Sequence, residues 1–253
     1  MGILTQFIFR LSFGLALAMA WTPSRLVTSG FYRVHCLVLL GLNVVSTLIA
    51  LSNPEFGLWP PLLAAFLSYC CSVVWLYERS TAGVCVLYLV AVVTLTGATL
   101  TWPPASLSWS LAMTVFVMGD VITSGLVLGV TITAMFLGHW YLNTPTMDLV
   151  PLKRLVLLMI AALIIRSVFC AAGLLDRLME VTPAAADNPL LYFHALRWLF
   201  GLVGAMLLAV MTWATLKVPN TQSATGILYV AVIATFLGEL TSLLLSLDAT
   251  CPV

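Results

Sequence analysis

Apolar residues run along this chain in eight long stretches, each separated from the next by a short cluster of turn-forming or charged residues. A helix of about 20 apolar residues crosses the hydrocarbon core of a bilayer. The pattern therefore predicts an all-α, polytopic integral membrane bundle of about eight transmembrane helices. The predicted spans are 4–21, 34–51, 58–77, 83–101, 111–142, 150–175, 189–216 and 223–246.

The connections between the spans are short and contain residues that end helices, such as Pro23, Pro54 and Pro219. None of them is long enough to form a sizeable soluble domain, so residues 1–253 are predicted to be a single transmembrane domain. Asp148 directly precedes the sixth span, where we expect its carboxylate to cap the helix.

The first span also resembles a secretory signal, because Arg10 is followed by the apolar run 11–20, which closes with Ala18, Met19 and Ala20. The residues that precede Arg10 are themselves apolar, whereas a signal peptide begins with a positively charged region. We therefore expect the first span to be retained.

The cations of the connections are distributed unevenly between the two sides of the predicted bundle. On the side of the chain ends only Arg177 is found, whereas six cations lie on the opposite side. Lys and Arg accumulate on the cytoplasmic side of membrane proteins. This asymmetry predicts cytoplasmic odd-numbered connections, with both termini outside, in a plasma (inner) membrane. The cations that follow odd-numbered spans, or lie at their edges, are Arg25, Arg33, Arg79, Lys153, Arg154 and Lys217.

Composition agrees with a lipid environment and excludes nucleic-acid binding as the function. Hydrophobic residues make up 62% of the chain, and Asp, Glu, Lys and Arg only 8%. The formal net charge is +1 and no basic run is present, so the chain lacks the electrostatic footprint of a nucleic-acid-binding protein. The predicted partners are the lipid bilayer and other membrane subunits.

Ionisable residues occur at depths where hydrocarbon is expected. An isolated charge inside a bilayer costs about 2.5–3.5 kcal/mol on an insertion scale, so such groups must contact each other or water. Helical rise places these residues in one half of the membrane. We expect the two carboxylates to pair with two of the three arginines, leaving one arginine over, with a histidine beside it. The residues are Arg10, Asp120, Arg166, His194, Arg197 and Glu239.

Three interpretations of this cluster are open. Interhelical salt bridges would simply fix the packing of the bundle. Alternatively, a surplus arginine would hold an anionic headgroup or a substrate carboxylate, or Asp120 and Glu239 would carry protons in a coupled transporter. Gly125 and Gly129 are predicted to form a close-packing pair on the fifth span.

A second group of polar and aromatic residues is predicted near the cytoplasmic face. His35, close to Arg33, begins the second span, and His139 lies with Trp140 and Tyr141 at the end of the fifth. Two neutral imidazoles at one depth suit either one b-type haem or a quinone carbonyl. Aromatic residues also collect at the headgroup level of any membrane protein, so an interfacial belt is an equally simple interpretation.

These observations leave three classes of function. The first is a membrane subunit of a respiratory or other electron-transport assembly, with a quinone or haem pocket near His35 and His139. The second is an ion-coupled or anion transporter that uses the charge cluster. The third is an intramembrane enzyme that acts on a lipid, with His194 or Glu239 as acid or base, and the sequence contains no motif of a metal site.

Overall fold

The computed structural model describes residues 2–53, 57–101, 111–144, 146–180, 190–218 and 220–246. In this part of the chain the regular structure is helical throughout. The α-helices are α1 (Gly2–Trp21), α2 (Ser29–Ser52), α3 (Trp59–Leu76), α4 (Ser80–Leu100), α5 (Leu111–Asn143), α6 (Val150–Glu180), α7 (Leu190–Leu196), α8 (Ala205–Lys217) and α9 (Thr221–Leu245). A π-helical segment, Arg197–Gly204, joins α7 to α8.

The described residues form eight helical spans that are long and apolar enough to cross a membrane, with α7, the π-helical segment and α8 making up the seventh. The prediction of an all-α bundle with about eight spans is confirmed, and the protein is a multi-pass membrane protein. The clearest difference concerns α2, which begins at Ser29 rather than at residue 34. The hydropathy pattern placed the start of this span directly after Arg33. An exposed cation at the edge of a membrane does not interrupt a helix, so the helix itself begins earlier.

Local side-chain chemistry fixes several helix ends. Pro60 lies in the first turn of α3, where its missing N–H group removes no hydrogen bond. The Asn220 side chain accepts a hydrogen bond from the backbone N–H of Ser223 at the start of α9. Asp148 likewise accepts one from the backbone N–H of Val150, at 3.0 Å, which confirms its predicted capping role.

Helix α1 lies at the centre of the bundle and is the most buried span. It packs against α2, α4, α5 and α9. Helices α2, α3 and α4 pack in chain order on one side, whereas α5 contacts α6 and α9 on the other. The second half is closed by contacts of α9 with α8 and the π-helical segment, and of α6 with α8. Helices α1 and α5 are therefore the main contact between the two halves.

Glycines let α1 and α5 cross with their backbones in direct contact. A Cβ atom at Gly14 would overlap the backbone of Gly125, and one at Gly129 would overlap that of Gly14. The predicted close-packing role of the glycine pair on the fifth span is confirmed. Because the two helices run in the same direction, this crossing also sets their register and brings Arg10 to the depth of Asp120.

A second glycine crossing joins the seventh span to α9. A Cβ atom at Gly201, within the π-helical segment, would lie 2.5 Å from the Cα atom of Gly238. Arg197 lies one turn before the first of these glycines, and Glu239 directly follows the second. The crossing therefore places an arginine and a carboxylate from two helices at one level.

Candidate functional site

The predicted ionisable residues form a buried cluster near one end of the bundle, which we call the charge cluster. Each of its five members is at most 4% exposed. They lie roughly 8–12 Å inside the ends of their spans, on the side where α1 begins and α9 ends, here called the termini side. The members are Arg10, Asp120, Arg166, Arg197 and Glu239.

Asp120 on α5 forms ion pairs with two arginines at once. Its Oδ2 atom lies 2.8 Å from Nη1 of Arg10 on α1. Its Oδ1 atom lies 2.6 Å from Nη1 of Arg166 on α6. Both carboxylate oxygens are thus engaged by a guanidinium group, and three helices are tied together at one point.

Arg166 is the centre of the charge cluster, because it also binds Glu239 on α9 with two parallel hydrogen bonds. Nε of Arg166 donates to Oε1 at 2.9 Å, and Nη2 lies 2.8 Å from Oε2. Further donation reaches the hydroxyl groups of Thr123, at 3.2 Å, and Ser242, at 3.3 Å. The nitrogens of this guanidinium group therefore all donate to groups of the protein. A lysine cannot reproduce this planar arrangement of donors.

Arg197 differs from the other two arginines because it pairs with no carboxylate in the described part of the chain. Its Nη2 atom donates to the thiol sulfur of Cys170 on α6 at 2.6 Å. Its Nη1 atom is buried and has no hydrogen-bond partner among the described residues. The expectation that one arginine is left over is confirmed, and the arginine concerned is Arg197.

A narrow crevice opens beside this arginine, between α5, α6 and the π-helical segment. It encloses about 160 Å³, part of it continuous with the surroundings, and is nowhere wide enough to hold a water molecule. The rings of Phe116 and Phe169 form its apolar walls, with their centroids 6.0 Å apart. The lining residues are Phe116, Asp120, Arg166, Phe169, Cys170 and Arg197.

The charges of the cluster do not balance. Among the described residues three arginines face two carboxylates, so one positive charge remains when Cys170 is a neutral thiol. His194, also predicted here, is half-buried on α7, one turn before Arg197. A buried guanidinium group with one unsatisfied nitrogen, at the edge of a crevice, is able to bind an oxyanion.

The second predicted group is brought together only in part. His35 is buried, its Nδ1 donates to the backbone oxygen of Phe31 at 2.6 Å, and its ring packs against Phe31, Phe136 and Trp140. His139 is exposed on the neighbouring helix face, where its Nδ1 lies 3.3 Å from the hydroxyl of Tyr229. A haem plane between the two imidazoles would have to displace the aromatic rings that surround the first.

The other residues predicted for this pocket make separate contacts. Arg33 is exposed, the indole N–H of Trp140 donates to Thr28, and the Tyr141 hydroxyl donates to the backbone oxygen of Asp148. Within the described ranges, no three His, Cys, Asp or Glu side chains come together as a metal site requires. The quinone and haem hypotheses stay predictions.

Sequence reasoning missed the neutral residues of the site. Thr123 follows Asp120 by three positions, and Cys170 follows Arg166 by four, so each lies on the same helix face as a buried charge. That spacing is the signal that would have identified them. No comparable signal marks Phe116 and Phe169, because phenylalanines are common throughout membrane spans.

Comparison with known proteins does not identify a relative: no protein family, no curated protein and no solved structure matches the chain. The site is therefore interpreted from its own geometry.

Proposed function

We propose that this protein is a multi-pass membrane transporter for an anion, and that the anion binds at Arg197 in the crevice beside the charge cluster. The observation that carries the proposal is the unsatisfied Nη1 atom of a guanidinium group that is only 2% exposed. This guanidinium group also has no carboxylate partner among the described residues, in contrast to Arg10 and Arg166.

Electrostatics favours an anion over a cation or proton at this position. Asp120 and Glu239 are already engaged by Arg10 and Arg166, so neither carboxylate is free to bind a cation. The remaining charge is positive and lies at membrane depth, where an uncompensated charge is costly. A bound anion would remove that cost, so the protein itself supplies part of the driving force for binding.

Two features of the surroundings support movement of the bound anion. The site lies inside the spans rather than at their ends, as expected for a transport pathway. It is also adjacent to the π-helical segment, and π-helical turns are frequent at functional sites because their hydrogen bonding departs from the regular helix.

The proposal is tested with purified protein in lipid nanodiscs and proteoliposomes. We expect acetate, formate or chloride to raise the thermal unfolding temperature, since a ligand at about 100 times its Kd stabilises the native state by about 2.7 kcal/mol. Arg197→Gln should abolish the effect. The matched control is Arg154→Gln, which removes the same charge from an exposed position. Counterflow of the stabilising anion, labelled radioactively, should be present in the unmodified protein and in Arg154→Gln, and absent in Arg197→Gln.

A second variant distinguishes loss of the site from loss of the fold. Cys170→Asp places a carboxylate beside Arg197, so it should abolish anion binding while the protein stays at least as stable as the unmodified one. If Cys170→Asp binds anions normally, or if neither these small anions nor a longer-chain carboxylate binds the unmodified protein, the proposal is wrong.

The redox-subunit hypothesis remains the second candidate, and one observation favours it. His35 is held in a fixed orientation among three aromatic rings, as a quinone contact would need. A reduced-minus-oxidised visible spectrum, with organic extraction of the same sample, tests it. A haem band or a stoichiometric quinone that is lost in His35→Ala would support the redox role, and a colourless, quinone-free sample would remove it.

A further inference from the structure

The crevice has apolar walls, and their chemistry limits the kind of anion that can bind there. This inference rests on the proposed function. Phe116 on α5 and Phe169 on α6 face each other with an interplanar angle of 35°. Phe169 lies directly over Gly119, where a Cβ atom would overlap its ring. The absence of a side chain at Gly119 thus leaves space for the ring of Phe169. The two rings form an apolar slot next to the charged residues that line the crevice.

The rim of this slot lies next to exposed apolar side chains. Both rings are half-buried, and the residues next to them, Val115 and Val168, are among the most exposed of the spans, at 62% and 63%. In a membrane-spanning bundle, exposed aliphatic side chains at this depth contact acyl chains. A ligand with an apolar body is therefore able to approach from the bilayer.

The charge balance limits the valence of the ligand. The cluster has one positive charge in excess, so a monoanion makes the site neutral. A dianion would leave a net negative charge beside Asp120 and Glu239, in a medium of low dielectric constant where such an excess is strongly unfavourable. A carboxylate fits both this valence and the planar geometry of a guanidinium group.

The closed state of the crevice argues against a small hydrated ion. Because the slot holds no water-sized space, the two rings must move apart to admit any ligand. A small ion would leave the separated ring faces in contact with water, whereas an alkyl or aryl body would cover them. We propose that the anion is an amphiphilic monocarboxylate, with its carboxylate at Arg197 and its apolar body between Phe116 and Phe169.

Equilibrium binding of radiolabelled acids to the protein in nanodiscs tests this assignment. Arg197→Gln nanodiscs give the baseline for partition of each acid into lipid. Each methylene group buried between the rings should strengthen binding by about fourfold. We therefore expect octanoate to bind at least about tenfold more tightly than acetate, and sulfate to compete with neither.

Variants locate the apolar body. In Phe116→Ala/Phe169→Ala the preference for octanoate over acetate should fall below about threefold, because the walls that cover the alkyl chain are gone. Phe66→Ala is the control, since Phe66 is exposed on α3 and is not part of the crevice. It should keep the full preference.

The outcomes separate this inference from the proposed function. If acetate or chloride binds as tightly as octanoate, or if sulfate binds more tightly, the amphiphile assignment is overturned while anion binding at Arg197 stands. If no anion binds above the Arg197→Gln baseline, both fail. None of these comparisons uses the double variant, so they hold even when it does not fold.

Discussion

Arg166 donates hydrogen bonds to side chains of both α5 and α9. It bridges Asp120 and Glu239, and so joins α5, α6 and α9 through one guanidinium group. Since both carboxylates lie at membrane depth, each depends on such a partner to remain ionised.

Removal of this bridge should be costly. Arg166→Leu leaves Glu239 without a charged partner among the described residues, whereas Asp120 keeps Arg10. We expect the free energy of unfolding to fall by about 3–5 kcal/mol, as for other buried pairs that lose one member. Unfolding in mixed micelles titrated with a denaturing detergent measures this change.

The double variant Arg166→Leu/Glu239→Leu is the control for that prediction. It removes both charges, so it should lose clearly less stability than the sum of the single changes. A single variant as stable as the unmodified protein would show that the bridge does not hold the helices together.

Arg197 should respond in the opposite direction. In buffer without a binding anion its charge is uncompensated, so Arg197→Leu should raise the free energy of unfolding by about 1–3 kcal/mol. The same detergent titration measures this gain. A stabilising substitution at a buried charge is the pattern of a functional residue that is kept at the expense of stability. Destabilisation instead would mean that Arg197 is a packing contact, contrary to the proposed function.

The sequence was sufficient to predict that these residues meet, but not how they pair. Charges in hydrocarbon must find partners, and depth along each helix is readable from residue numbers. The three arginines are chemically identical, however, so which one remains over depends on helix neighbours. The partner of Arg197, Cys170, is neutral: its spacing from Arg166 indicates a shared helix face, but not which arginine donates to it.

At the scale of helices, backbone contact between α1 and α5 holds the charge cluster in register. Gly14→Ala would drive a Cβ atom into the backbone of Gly125, which has no flexible end to move aside. We expect a loss of about 1–3 kcal/mol in the free energy of unfolding. Gly41→Ala is the matched control, because a Cβ there meets nothing within 4 Å. It should be neutral or stabilising by up to about 1 kcal/mol. Equal stability of the two variants would refute the close crossing.

Hydropathy predicted the spans well because it measures the property that lipid selects, the length of apolar helix. It gave no sign of the π-helical segment Arg197–Gly204, since the same apolar composition suits either hydrogen-bonding pattern. Nor did it indicate that α1 lies at the centre. A helix surrounded by protein and one surrounded by lipid are both apolar, and only packing distinguishes them.

At the scale of the whole molecule, the charge cluster joins the two halves of the bundle. Arg10 comes from the first half, and Asp120, Arg166, Arg197 and Glu239 come from the second. The Arg10 to Asp120 pair is thus an ionic contact across the main boundary between the halves. Relative motion of the halves would alter this pair first, which links the proposed transport step to the same residues.

The orientation of the bundle decides which membrane surface is nearer to the proposed anion site. Six of the seven connection cations lie opposite the termini side, so the positive-inside rule predicts that the termini side faces outward. Ser52→Cys and Thr146→Cys test this, because both positions are exposed and lie at opposite ends of the bundle.

A membrane-impermeant maleimide applied to intact cells should label Ser52→Cys, and should label Thr146→Cys only after permeabilisation. The unmodified protein gives the background from its native cysteines. The reverse pattern would place the charge cluster near the cytoplasmic face and make the crevice a site loaded from inside. The predicted pattern makes it a site loaded from outside or from the outer leaflet, since the cluster lies roughly 8–12 Å from the span ends on that side.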